Sequence, residues 1–112
     1  MISKTLTAAS TKPIILSILK QGNSYGYLII KKIKEISGGQ MSYTDGMLYP
    51  VLHRLEKEAL IQSNWTVEND TRPRKYYEIT DLGKQALIEE QQQWAHVTSV
   101  LEQLWTINPT TK

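Results

Sequence analysis

Arg72, Arg74 and Lys75 place three cations within four residues, with Pro73 among them, just after a stretch from Met47 to Ile61 patterned as an amphipathic helix. Guanidinium and ammonium groups on a turn suit a polyanion, because they pair with phosphate oxygens and a proline-stiffened turn loses less entropy on docking. Tyr43, Tyr49 and His53 lie on or beside the same helix. Their phenol and imidazole groups can donate to a phosphate or offer an edge to a base. His53 follows Tyr49 by four residues, so both project from one face, opposite Leu52 and Leu55. A solvated basic turn is the plain alternative. The order helix, strand, cationic turn, strand favours nucleic acid.

Catalytic and metal chemistry finds no comparable support. There is no cysteine, and His53 and His96 have no metal-ligand spacing. Gly38-Gly39 lacks the Lys-Ser/Thr of a phosphate loop, and neither a Ser/His/Asp arrangement nor a close carboxylate pair occurs. An enzyme is not expected, nor a metal or cofactor.

At 112 residues the chain makes one domain with a modest core. Its net charge of +2 says little, but the charge is unevenly spread. Residues 1–80 hold 11 Lys+Arg against 7 Asp+Glu, and residues 81–112 hold 2 against 4. A basic body with an acidic tail is consistent with a polyanionic partner for the body alone. No apolar run approaches the roughly 20 residues of a membrane span, and no signal-peptide apolar segment is present, so no membrane association and a cytoplasmic protein are expected.

The elements that must position these residues are legible in the periodicity. Residues 1–12, rich in Thr, Ser and Lys, are expected to be a flexible arm. Pro13 suits a first helical position, and Ile14, Ile15, Ile18 and Leu19 form an apolar face ending at Gly22. Ser24 is the expected cap of a second helix with Ile29, Ile33 and Ile36 inward, stopped by Gly38-Gly39. Thr44 caps a third, with Asp45 at the positive end of its dipole and Leu48, Val51, Leu52, Leu55 and Ala59 as its buried stripe. Pro50 should bend that helix or delay its start.

Ile61 to Val67 alternates as a strand with Trp65 inward, residues 68–74 form an exposed hairpin loop, and Lys75 to Ile79 returns with Tyr77 and Ile79 inward. Thr80 caps a long helix over 81–106, followed by a tail over 107–112. The stripe of that helix, Leu87, Trp94, Val97, Leu101 and Leu104, widened by Trp105, has little core of its own left to cover and most simply packs on a second copy.

The fold class is therefore mostly α with a small β-hairpin. Residues 13–80 form a winged helix-turn-helix DNA-binding domain, and 81–106 a long C-terminal dimerisation helix. Tyr43, Thr44, Gly46, Tyr49 and His53 would approach the major groove. Tyr27 and Lys31 of the second helix would meet phosphate, and Arg72, Arg74 and Lys75 would hold the wing to the backbone or minor groove.

Four segments resemble the PadR family of bacterial transcriptional regulators: Pro13-Ile-Ile-Leu-Ser-Ile-Leu, Ser24-Tyr-Gly-Tyr, Gly46-Met-Leu-Tyr-Pro-Val-Leu-His-Arg-Leu-Glu and Arg74-Lys-Tyr-Tyr-Glu-Ile-Thr-Asp-Leu-Gly83. The single helix after the wing is similar to the short-tailed branch. The resemblance implies a homodimer joined through the last helix, usually a repressor, which releases DNA when a small molecule binds. Multidrug-sensing members sandwich flat aromatic ligands on a tryptophan of the last helix. Trp94 looks like that residue, and the likeness implies Leu87, Gln91, Thr98 and Ser17 beside it. Glu90 would favour a cationic guest.

The function expected is sequence-specific DNA binding at an inverted-repeat operator, by a homodimer that a planar aromatic effector can release. A winged-helix adaptor that binds protein and has no operator is the alternative, but it has no need of three cations at the wing.

Overall fold

The computed structural model describes residues 1–67 and 72–106. In chain order these form α1 (Lys4–Gln21), α2 (Gly26–Ile36), α3 (Asp45–Lys57), β1 (Ile61–Thr66), β2 (Arg74–Ile79) and α4 (Asp81–Trp105). The result is a winged helix-turn-helix with a long last helix.

The expected flexible arm is helix. Ser3 caps α1 by accepting from the Leu6 N–H at 3.2 Å, and Pro13 lies in the helix interior rather than at its start. Two polar residues explain the difference. Thr7 and Thr11 face inward, where the Thr11 hydroxyl donates to the Thr7 carbonyl at 2.6 Å and meets the Tyr43 hydroxyl at 2.7 Å. A threonine so bonded is buried through its methyl group without an orphaned hydroxyl, which a Ser/Thr-rich composition does not reveal.

Ser24 does not cap α2; Tyr25 stands there, without a side-chain cap. Ser24 instead exchanges two backbone hydrogen bonds with Tyr77, at 3.1 and 2.7 Å, and so gives the wing a third backbone segment. Ile29 and Ile33 are buried as expected, whereas Ile36 in the last turn is exposed. Gly38 and Gly39 close the helix with φ of 62° and 81°, left-handed values that suit glycine.

Thr44 caps α3 through the Met47 N–H at 3.3 Å, and the helix continues past Pro50 to Lys57 without a late start. Leu48, Leu52 and Leu55 are fully enclosed on both sides of the proline, and their packing offsets the lost backbone bond. Ala59 departs from its expected place. It lies beyond the helix, exposed, with φ 63°, and Leu60 takes the buried position while its N–H bonds the Leu55 carbonyl at 3.0 Å.

β1 and β2 pair antiparallel, from Ile61 opposite Ile79 to Thr66 opposite Arg74. Ile61 and Tyr77 carry the core into the wing. Thr80 then caps α4 by accepting from the Gly83 N–H at 3.0 Å. Gly83 must be bare, because a Cβ there would run into the Leu60 carbonyl. Leu87 is buried to 1% exposure within the single chain, against α1. That corrects its expected place on a subunit seam: the first half of α4 closes its own domain.

Candidate nucleic-acid interface

The outward face of α3 holds Gly46, Tyr49 and His53, all exposed, and Thr44 stands exposed at its cap with its hydroxyl engaged by the Met47 N–H. Above Gly46 the space is open, the Thr44 hydroxyl at 3.8 Å being the nearest atom a Cβ would meet. Backbone can therefore be approached closely there. Tyr49 is anchored, its phenol resting on Gly26 at the start of α2. Tyr27 and Lys31 of α2 are exposed.

Tyr43 is not on this surface. It is 5% exposed, and its hydroxyl meets Thr11 and donates to the Thr7 carbonyl at 3.3 Å. One residue ahead of the Thr44 cap, it ties the start of α3 to α1. Sequence distance hides this, since its partners lie 32 and 36 residues away.

On the wing, Arg72 and Arg74 are exposed. The Arg74 guanidinium lies over the Tyr25 ring, 4.5 Å from its centroid, and Tyr25 in turn meets Tyr76 edge-on at 5.2 Å. Stacking occupies the face of the guanidinium and leaves its in-plane N–H groups for an acceptor. Lys75 differs from its two neighbours. Its ammonium turns toward the body, 3.8 Å from a Glu56 carboxylate oxygen and 5.6 Å from the centre of the Tyr77 ring. The exposed charge of the described wing is thus that of Arg72 and Arg74. The expected loop over 68–74 falls partly outside the described residues, which resume at Arg72.

Trp65 was expected inside and is 69% exposed. Alternation assigns its face correctly, since it pairs with Lys75 on the side of the hairpin that carries Tyr77. The backbone bridge to Ser24 ends at Tyr77, however, and Trp65 lies two residues farther out along the hairpin, where open space separates it from the start of α2. A cleft of about 440 Å³ opens between this overhang and the helices, with Tyr27, Tyr49, Trp65 and Arg74 among its walls. Trp65 and Tyr25 are the functional candidates that sequence reasoning missed, because neither the cleft at Trp65 nor the approach of Arg74 to Tyr25 has a local signature in the sequence.

A second cleft, of about 400 Å³, lies between α1, the end of α2 and α4. Ser17, Leu87, Gln91 and Trp94 line it together with Ile14 and Met41, so four of the five expected ligand residues share one space. Thr98 is exposed farther along α4 and is not part of the wall. Beyond Trp94, α4 leaves Val97, Val100, Leu104 and Trp105 exposed and Leu101 half-buried. Among the described residues, no group of three or more His, Cys, Asp or Glu could hold a metal ion, and no helix is long and apolar enough to cross a membrane.

A reading helix beside a hairpin with exposed arginines defines a winged-helix DNA-binding protein. The model of the transcriptional regulator PadR-like family matches residues 15–89, and the chain belongs to that family. It is 31% identical over 102 residues to an uncharacterized protein of Lysinibacillus sphaericus, covering 91% of this chain and 94% of that one. It is 36% identical over 76 residues to the negative transcriptional regulator PadR of Bacillus subtilis (strain 168), covering 68% of this chain but only 42% of that protein. A transcriptional regulator from Clostridium thermocellum superposes with a TM-score of 0.85 at 30% identity, over 96% of this chain and all of that one. The family is one of transcriptional regulators that act through DNA, not of enzymes.

Proposed function

We propose that the chain is a sequence-specific repressor, active in the cytoplasm as a homodimer on an inverted-repeat operator and released by a planar aromatic molecule. One observation carries the DNA-binding part: Tyr49 of α3, Tyr27 of α2 and Arg74 of the wing wall a single cleft, so one duplex can meet all three elements together. Tyr49 and His53, with Gly46 and Thr44 beside them, read the major groove, while Tyr27, Lys31, Arg72 and Arg74 meet the backbone. The name of the Bacillus subtilis relative, a negative regulator, supports repression.

Homodimerisation follows from the far half of α4. Val97, Val100, Leu104 and Trp105 make an exposed apolar strip on one helix, and covering it with a second copy removes that surface from water. Two domains related by a two-fold axis read half-sites about one helical turn apart, so the operator is an inverted repeat. Selecting duplexes from a random-sequence pool with the purified protein tests this directly. Enrichment of an inverted repeat is expected, and a pool without any enriched sequence would favour the protein-binding adaptor.

The effector site is the cleft beside Trp94, which a flat guest enters by stacking on the indole; Glu90 lines the neighbouring hollow against Trp94, with Ala9, Gln93 and Val97, and its charge there favours a cation nearby. Ring contacts of this kind add roughly 0.5–1.5 kcal/mol to burial. A guest weakens DNA binding only if it prefers one spacing of the two reading heads, since equal affinity for both shifts nothing. Cationic planar dyes should quench tryptophan emission and weaken operator binding together, and both effects should vanish in Trp94→Ala. Quenching that persists in that variant would assign it to Trp65 or Trp105 instead.

A further inference from the structure

The cleft between the wing and the helices contains more than a DNA-reading face requires. Trp65 and Tyr27 stand 69% and 68% exposed on its walls, although Ile61 and Tyr77 already close the core of the wing. An indole left this open contributes little to the stability of the domain, and what it could contact is restricted in three ways. The cleft walls include the Arg74 guanidinium and no carboxylate, Lys75 at their edge being turned toward Glu56, so Arg74 is the charge they offer and an anionic occupant suits it. Arg74 is held by its stack on Tyr25 with its N–H fork uncommitted among the described hydrogen bonds, a geometry that matches phosphate oxygens. The cleft is continuous with the reading helix through Tyr49, and Pro73 stiffens its outer lip.

We infer that this cleft seats one sugar–phosphate strand of the duplex, with the Trp65 indole packed on a deoxyribose and the Arg74 fork on the adjoining phosphate. The inference rests on the DNA-binding reading above and deepens it: the cleft takes backbone, and the bases are left to α3. A backbone site has a signature of its own. Packing on a sugar is uncharged and independent of sequence, so removing the indole lowers affinity for any duplex without altering the salt dependence. Removing Arg74 flattens the salt dependence, because fewer counterions are then released.

The test uses the full chain and two duplexes, one selected by the wild-type protein from a random pool and one with that sequence scrambled. In protein labelled with 5-fluorotryptophan, the Trp65 resonance, assigned by its loss in Trp65→Phe, should shift when either duplex is added. Trp65→Ala should weaken both complexes by about tenfold at an unchanged salt slope, and Trp65→Phe, which keeps a flat ring, should recover part of the loss. Should Trp65→Ala fold poorly, the resonance shift in the unsubstituted chain and the Trp65→Phe affinities decide alone. A resonance that stays in place with affinities within twofold of wild type overturns the inference. Weakening confined to the selected duplex overturns the assignment to backbone, making Trp65 a base reader. Failure of the wild-type chain to bind either duplex would instead remove the DNA-binding reading, and this inference with it.

Discussion

The phenol of Tyr49 lies directly on Gly26, so that a Cβ at that glycine would overlap the hydroxyl and come within 2.6 Å of Cζ. The first residue of α2 is thereby the seat for an aromatic of the reading helix, and the two helices of the motif are registered by one missing side chain. Gly26→Ala should push the ring away, costing about 1–3 kcal/mol as other overpacked sites do. It should also weaken operator binding. Adding Tyr49→Ala should relieve most of the stability cost without restoring affinity, which thermal unfolding and operator titration can both follow. Additive stability losses in the double variant would count against a direct clash.

The two arginines of the wing should separate from its lysine. Arg72→Ala and Arg74→Ala are expected to weaken binding to all duplexes and to flatten the slope of log K against log salt by up to about one unit each. Lys75→Ala should change that slope less, because its ammonium is turned toward Glu56 at 3.8 Å. Titrations at several salt concentrations distinguish the three. Equal slopes for the lysine and arginine variants would show that Lys75 leaves Glu56 for DNA.

Tyr43 should behave as a structural residue. Tyr43→Phe keeps the ring and removes a hydroxyl that meets Thr11 at 2.7 Å, so a stability loss of about 0.5–1.5 kcal/mol is expected, with preference among operator variants unaltered. A change in preference without a change in stability would return Tyr43 to the DNA surface.

The two halves of α4 should respond differently to substitution. Leu101→Glu and Leu104→Glu place charge on the half-buried and exposed strip and should yield monomers in sedimentation. Leu87→Ala removes a side chain enclosed by its own domain, so it should cost roughly 2–5 kcal/mol of stability and leave association intact in the folded fraction. Dimers that persist in both glutamate variants would place the subunit interface elsewhere.

Tyr77 makes stability sensitive to alkali. Burial, then the negative charge of Glu56 and then Tyr49, raise its pKa above the ordinary 10.0. Below 10.0 the phenol is neutral whether the chain is folded or not, and its contribution is fully present. As pH climbs past 10.0 the unfolded chain ionises first, and stability is lost up to the raised value of the folded state. Denaturant unfolding above pH 10.0 should show this decline, shallower in Tyr77→Phe.

What was legible in the sequence is what short-range geometry controls. Thr44 and Thr80 announce the starts of α3 and α4, because a hydroxyl three residues ahead of a free N–H is a local relationship. Leu48, Leu52 and Leu55 recur with the helical period, and Tyr77 and Trp65 fall on the correct face of the hairpin, since side chains alternate along any strand. The cations of the wing could be placed for the same reason. Tertiary structure alone decided what covers each of these faces. Alternation assigns Trp65 a side but cannot say that a cleft, rather than a packed neighbour, lies against it. Threonines at positions 7 and 11 read as polar until Tyr43 folds over them from 32 residues beyond Thr11. The apolar stripe of α4 has one period throughout, yet Leu87 closes its own domain while Leu104 and Trp105 remain bare. Periodicity is a property of a few bonded neighbours, whereas burial depends on whichever distant segment arrives, and only the assembled chain determines that.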